Sequence, residues 1–549
     1  MKTARIFLLL LLCMALLCSC GGKEKVKDVS GRYYLNEIGN EAVIDDVDLS
    51  FYAETSDNSR VFYEIFVGAF SDSDGDGIGD LRGIINRFDY LNDGDPKSGL
   101  SLGVEGIWLM PIFKSPSYHK YDVTDYYKID PSYGTEADLK ELIDLCHDRN
   151  VKLIIDLPIN HTGYNNLWFT QFTNAHKSGD TSNEYYEFYC YSDTASVAGR
   201  TFARLNGTSE YYECNFSTDM PELNFDNDAV RKAVLDVADY YIALGIDGFR
   251  FDAAKYVYYG NEDKSASFWE WYCGELRNTK PDIYTVAEVW AADSITNKYY
   301  PATDCFDFTT SQTSGRIAET ARMGNVNNYT SYVSAYLKTI GALRSGAMII
   351  PFIANHDTDR AAGFMTLASG YAQVAANLYI LSPGSPFIYY GEEIGLKGSR
   401  GSSNTDANRR LAMLWGDGDT VKDPVGATYD PASQTNGTVS SEAPDGDSLY
   451  NYYKRLIMIR KANPEIARGS YTALNISGSK LGGFISEYEG NSVMVLHNTL
   501  KSAVTVDLST LSSLDFCNIS AIIGIESAEL SGTTLTIGAQ TSVVLRAAK

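Results

Sequence analysis

Histidine is scarce in this chain, with six in 549 residues. Lysine and arginine (46) are outnumbered by aspartate and glutamate (70), leaving a formal net charge of −24. A polyanion would be repelled by such a chain, which excludes nucleic acid as a partner and leaves neutral substrates unaffected. The cysteines beyond residue 20 are Cys146, Cys190, Cys214, Cys273, Cys305 and Cys517, and none has the Cys-x-x-Cys spacing of a metal site. No Gly-x-Gly-x-x-Gly follows a first strand-like run, which weakens a dinucleotide-binding open sheet. Repeats are absent, and so is any long apolar run beyond the first 17 residues, so no later membrane span is expected.

Apolar residues make up 44% of the chain, enough for a substantial core. The 39 tyrosines mostly cover a large surface, although sugar clefts use such rings as stacking platforms. Three short segments each end a β-like apolar run on an acid: Gly248–Asp252, Thr285–Glu288 and Ile353–Asp357. A buried acid at the end of a strand is costly unless it is paired or used in chemistry. Three of them predict one carboxylate cluster at the mouth of a parallel barrel, the equipment for cleaving a sugar–sugar bond.

The wider pattern agrees. Strand-like runs occur at Val61–Phe70, Val104–Ile112, Val151–Ile159, Ile246–Phe251, Ile283–Val289, Cys305–Phe308, Met348–Ile353 and Pro386–Tyr390. Helical patterns such as Glu136–Asn150 and Ala229–Leu244 separate most of them. Eight such units predict an α/β fold, a (β/α)8 TIM barrel over 59–161 and 227–465, with a doubly wound open sheet as the alternative. The Tyr-, Asn- and Ser-rich stretch 162–226 reads as a small inserted domain after strand 3. Cys190 and Cys214 share it and are the best candidates for a disulfide. Residues 466–549 alternate in short runs and predict a C-terminal antiparallel β-sandwich domain.

The acid-bearing segments resemble motifs of the α-amylase family of retaining glycoside hydrolases. They are Asp156–His161, Met220–Asn224, Gly248–Lys255, Ala287–Trp290 and Asn355–Asp357, in family order. The resemblance runs from about residue 60 to the end and implies Asp252 as nucleophile, Glu288 as acid and then base, and Asp357 as the group gripping the distorted sugar. Apolar neighbours Val286, Val289 and Trp290 favour a protonated Glu288. Arg250, two residues before Asp252, lies on the same strand face and can orient it. His119, Tyr121, His161, Lys255, His356 and Arg360 are the implied substrate contacts. The segment Tyr118–Asp122 resembles the family's segment after the second strand, so three of the six histidines (His119, His161 and His356) fall in resembling motifs, which favours function over core packing. Asp156 reads as a support behind the site, and Asp122 and Asp125 as structural.

Asp72-Ser-Asp74-Gly-Asp76-Gly-Ile78-Gly-Asp80 places oxygens at alternate positions, as a hard cation requires. It resembles the family's structural Ca²⁺ loop, with Asp72, Asp74, Asp76, the Ile78 carbonyl and Asp80 as ligands. Asn160 is a metal ligand in many amylases, but partners for it cannot be read from the sequence. At the start, Lys2 and Arg5 precede the apolar run Ile6–Leu17, a signal peptide over 1–20. Its end resembles a bacterial lipoprotein processing site, with Cys20 lipidated, residues 21–58 as tether and the cell envelope, at the periplasmic face or cell surface, as destination. A lipid anchor would be the sole membrane contact.

The resemblance implies endo-type hydrolysis of α-1,4 bonds in an α-glucan or maltooligosaccharide. Neopullulanase, cyclomaltodextrinase, α-glucosidase or transglycosylase activity is the alternative, and a non-catalytic glycan-binding relative is the alternative of another class. Many members close the strand-4 motif with Lys-His; here Tyr256 follows Lys255, which puts the leaving-group subsite in question.

Overall fold

The computed structural model describes residues 47–197, 199–477 and 480–548. The expected signal peptide, Cys20 and the expected tether as far as residue 46 lie outside the described residues.

Eight parallel strands form one sheet: β1 (Phe62–Ile65), β2 (Gly106–Leu109), β3 (Lys152–Leu157), β4 (Gly248–Phe251), β5 (Tyr284–Ala287), β6 (Asp304–Phe306), β7 (Ile349–Ile350) and β8 (Phe387–Tyr389). Seven lie within the eight apolar runs, and β6 starts one residue ahead of its run, at Asp304. Adjacent strands pair from β8 through β1 to β7. The ring closes where Ser385 N–H donates to the Ile349 carbonyl (3.1 Å) and Phe387 N–H to the Pro351 carbonyl (3.0 Å). The molecule is therefore a TIM barrel, not a doubly wound open sheet. Inside it, Phe62, Trp108, Ile154, Val286, Phe306, Ile350 and Phe387 form a plug of their own, with Phe62 stacked on Phe387 at 4.7 Å. One strand step higher the same inward face turns polar, carrying Glu64, Asp156 and Arg250. That change of layer puts the site at the carboxyl ends of the strands.

The outer helices follow the expected logic. Helix Glu136–Asp148 starts on a capping box between Thr135 and Asp138 and buries Leu139, Leu142, Ile143 and Cys146 at helical spacing. Asp228–Leu244 starts on the Asn227 cap and ends at the left-handed Gly245 (φ 112°).

Between β3 and β4 the chain builds helix Leu167–Ser178 and a small antiparallel sheet of Tyr191–Ser192, Ser196–Val197, Arg200–Arg204 and Tyr211–Glu213. The expected Cys190–Cys214 disulfide is not formed; both thiols are free. The register explains this. Tyr191 pairs with Tyr212, and Glu213 N–H donates to the Cys190 carbonyl, so Cys214 is one residue out of step and faces the other side.

After β8, helix Leu449–Ala462 is buried along nearly its whole length. Two antiparallel sheets follow, one of five strands and one of three, around Met494, Leu496, Leu535, Ile537, Val543 and Leu545. Residues 47–58, read as tether from their polarity, are packed instead. Val47 belongs to the main core, the Arg546 guanidinium lies 3.7 Å from the centre of the Phe51 ring, and Arg468 pairs with Asp57 at 2.7 Å. Among the described residues, no helix is long and apolar enough to cross a membrane.

Candidate active site

The register of β3 and β4 sets Arg250 directly beside Asp156. The guanidinium is fully buried and reaches three carboxylates: both Asp156 oxygens at 2.9 Å, Asp252 at 2.7 Å, and Glu288 through its other amino group. It rests over the Trp108 ring at 5.1 Å, so the apolar plug supports it from below. A charge this deep is tolerable only with such pairing. Directly after Asp252, Ala253 takes a left-handed conformation (φ 48°), turning the chain out of the strand.

Across the barrel mouth, the buried His356 bridges two acids. Its Nδ1 meets Glu64 at 2.5 Å and its Nε2 meets Asp357 at 3.1 Å. The Tyr121 hydroxyl lies 2.8 Å from His356 Nε2 and donates to Asp156 at 3.0 Å, linking the two halves. Arg410 donates to Asp357 at 2.7 Å and to the His356 carbonyl at 3.2 Å.

These neighbours set the proton inventory. Burial pushes the Glu288 carboxyl up to about 7, helped by the charges of Asp252 and Asp357 and opposed by Arg250. Burial likewise raises Asp156 to about 7 against the pull of Arg250. For Asp357, burial is outweighed by His356 and Arg410, which hold it far below the usual carboxylate range. Burial works against a charged His356, yet Asp357 and Glu64 raise it to about 9, so it is an imidazolium at neutral pH. His119 goes the other way, to about 4, through burial and the nearby Arg410. Glu288 is thus poised to give a proton across from Asp357, which is kept ionised, the division of labour that acetal cleavage needs.

Asp252, Glu288, Asp357, His119, Tyr121 and His161 all line one cleft of about 390 Å³. Arg250 and His356 support it from beneath. His161 Nε2 is buried with no partner, in keeping with a role in holding a sugar hydroxyl. Lys255 is turned to the rim, where its ammonium donates to the Trp290 carbonyl at 2.8 Å. Arg360 does not reach the cleft. It is buried over the Tyr389 and Tyr390 rings (4.2 and 4.5 Å) and donates to the carbonyls of Tyr390 and Arg409. The expected substrate contact from Arg360 is thereby replaced by a role in packing the β8 end. Arg410 and Glu64 hold Asp357 and His356, roles that the local sequence pattern does not assign to them. Glu64 carried the same signal as the other acids, a carboxylate inside an apolar strand; Arg410 lies far along the chain, and only folding brings it in.

The Asp-rich loop packs beside the barrel mouth. Carboxylate oxygens of Asp72, Asp74 and Asp80 lie within 4.8 Å of one another. Glycines at φ 89° (Gly75) and 94° (Gly77) make the tight turns. Asp80 caps helix Leu81–Asn86 through Gly83 N–H at 2.6 Å, tying the loop to the barrel. Asp76 stands outside the cluster and accepts from Ile78 N–H at 2.7 Å, and the Ile78 side chain is exposed. Three hard oxygens at this spacing fit Ca²⁺. Asn160 instead donates to Glu222 at 2.5 Å, its own oxygen buried without a partner, and burial lifts Glu222 to about 8.

A closed parallel barrel with an inserted domain after β3 and a carboxylate cluster at its mouth defines a class of barrel glycosidases. Residues 64–469 match the family described as alpha amylase, catalytic domain, and the chain belongs to that α-amylase family of glycoside hydrolases. It is 33% identical over 457 residues to "Alpha-amylase 3" of Dictyoglomus thermophilum, covering 81% of this chain and 86% of that protein. It is 31% identical to a cyclomaltodextrinase of Thermoanaerobacter pseudethanolicus, covering 78% and 64% respectively. Among solved structures, Eubacterium rectale Amy13B superposes with a TM-score of 0.83 at 33% identity, covering 94% of this chain and 99% of that one. Further relatives are named 4-alpha-glucanotransferase and oligo-1,6-glucosidase.

Proposed function

We propose that this protein hydrolyses α-1,4-glucosidic bonds of starch, maltodextrin or maltooligosaccharides by the retaining, endo-type route. The observation that carries the reading is the single guanidinium of Arg250 binding both Asp252 and Glu288 while Asp357 is held across the cleft by His356 and Arg410. One guanidinium spanning two carboxylates fits the close pair of a retaining enzyme rather than the wider, water-filled gap of an inverting one. Asp252 attacks the anomeric carbon. Glu288, raised to about 7, protonates the leaving oxygen and then takes a proton from the incoming water. Asp357, held ionised, grips the hydroxyls of the reacting ring. The resemblance to an alpha-amylase over most of both chains favours α-1,4-glucans; the cyclomaltodextrinase and oligo-1,6-glucosidase relatives make those specificities the second reading.

The Asp72–Asp74–Asp80 loop holds Ca²⁺ in a structural role, bracing the first barrel helix rather than touching substrate. The N-terminal segment exports the protein and Cys20 anchors it by lipid at the cell envelope, leaving the enzyme in water.

The test is the product profile, with anomeric configuration, on soluble starch, maltoheptaose, panose, pullulan and cyclodextrin. Release of α-configured maltooligosaccharides from starch is expected. Turnover confined to pullulan, panose or cyclodextrin would move the enzyme to the second reading, and turnover of none would refute the hydrolase.

A further inference from the structure

Resting on the retaining glycosidase reading, we infer that Glu64 is a positioning residue for the reaction: from inside the barrel it keeps a second proton on His356, and through that ring it fixes Asp357 as a charged, oriented grip on the reacting sugar. Glu64 lies in β1, is 1% exposed and sits behind His356, out of reach of a substrate in the cleft.

Hydrogen-bond accounting places the proton. His356 is fully buried, edge-on to the Trp108 ring at 5.5 Å and stacked on Tyr121 at 5.8 Å. Its Nδ1 faces a Glu64 oxygen at 2.5 Å, and its backbone N–H donates to the same oxygen at 3.4 Å. A carboxylate oxygen accepts, so Nδ1 carries a hydrogen. Nε2 meets Asp357 at 3.1 Å and the Tyr121 hydroxyl at 2.8 Å. That hydroxyl gives its hydrogen to Asp156 at 3.0 Å and has only lone pairs left for Nε2. Both neighbours of Nε2 are acceptors, so Nε2 carries a hydrogen too. Geometry alone makes the ring an imidazolium, in agreement with its rise to about 9.

The two oxygens of Asp357 are therefore each held by a cation, one by His356 and the other by Arg410 at 2.7 Å. The Asp357 side chain remains 31% exposed, open to a sugar hydroxyl. Glu64 acts on this arrangement twice. It supplies the opposite charge that lets a fully buried ring stay charged. It also leaves the Glu64–His356–Asp357 unit net negative, where His356 and Asp357 alone would cancel. Positive charge grows on the anomeric carbon as the bond breaks, and a net negative unit stabilises it. Asp156, Arg250, Glu288 and Arg410 also act on His356 or Asp357, and Tyr389 lies near Glu64. Among the described residues, Glu64 alone bonds Nδ1.

The test is Glu64→Gln, which keeps the shape and an acceptor while removing the charge, read on α-maltosyl fluoride and by NMR. The fluoride needs no proton from Glu288, so its kcat/KM isolates His356 from the Glu288 limb. In wild type it should stay level until the imidazolium titrates near pH 9. In Glu64→Gln that limb should move down by about one pH unit or more, with kcat at pH 7 reduced about tenfold or more and KM little changed. Lowering the pH should return part of the lost rate, which a merely structural role would not do. In protein labelled with nitrogen-15 histidine, the His356 signals, assigned by their loss in His356→Asn, should show both ring nitrogens protonated at pH 7. They should titrate at lower pH in Glu64→Gln. A wild-type ring that is neutral at pH 7 would overturn the inference, whether or not the variant folds. So would a variant that loses rate without moving the limb, or one that matches wild type. Wild-type protein with a doubly protonated His356 that turns over neither maltopentaose nor the fluoride would instead sink the glycosidase reading, and with it the part of Glu64 in the reaction.

Discussion

The proton on Glu288 offers the sharpest test of the site. The carboxyl is raised from an ordinary 4.5 to about 7, first by burial and then by the charges of Asp252 and Asp357. A shift of that size corresponds to about 3 kcal/mol of preference for the neutral form. Cleavage of a sugar leaving group needs that proton, so kcat/KM for maltopentaose should fall as pH rises through about 7. Glu288→Gln should lose roughly 10²–10⁴-fold on maltopentaose, the usual worth of a positioned proton donor. With α-maltosyl fluoride, which needs no proton to leave, the same variant should still form the Asp252 ester and release a burst of about one fluoride per enzyme, then stall for want of a base. The burst rate should lack the basic limb seen with maltopentaose, because fluoride leaves without a proton. A limb near pH 7 that persists in Glu288→Gln, or a variant that cleaves maltopentaose at wild-type rate, would refute the assignment.

Other consequences are more local. Removing divalent cation with a chelator should lower the melting temperature by several degrees, about 2–3 kcal/mol for a cation at a hundredfold its dissociation constant, with little effect on chemistry at low temperature. Asp72→Asn should abolish the chelator effect; an unchanged melting curve in wild type would disprove the Ca²⁺ loop. Glu392, buried after β8 and hydrogen-bonded by Tyr379 and Tyr453, is pushed up to about 7. Its folded value lies above its unfolded one, so its stabilising contribution is complete below about 4.5 and is lost as pH rises through about 7. Denaturant midpoints should therefore decline over that window, and Glu392→Gln should flatten the decline; a slope unchanged in the variant would refute it.

Much of this molecule could be read along the chain because the relevant chemistry is local. A strand two faces wide alternates its side chains, so an acid ending an apolar run is aimed at the barrel mouth by the period alone. That is why Asp252, Glu288 and Asp357 could be named from the sequence, as could the eight strand runs and the helical pattern at Glu136–Asn150, which the structure shows as helix Glu136–Asp148. The Asp-x-Asp-x-Asp loop was visible for the same reason, since alternate oxygens and glycines are a local requirement.

Tertiary structure decided whatever depends on which distant segments meet. Arg410 reaches Asp357 from 53 residues away, and Arg360, only three residues from Asp357, turns instead under Tyr389 and Tyr390. Proximity in sequence favoured Arg360; packing reversed the order. Cys190 and Cys214 share a segment, but a one-residue offset in the ladder points them apart. Polarity marked residues 47–58 as tether, yet Arg546 and Arg468, from the far end of the chain, hold them in place. Asp76 has the spacing of a ligand, and the path of the loop leaves it outside the cluster. The sequence by itself determined which groups the protein carries and which face of each element they occupy, because residue type and backbone period are properties of short stretches. Only the closed barrel decided their partners, and with them which carboxyl keeps its proton, because burial and charge act through space.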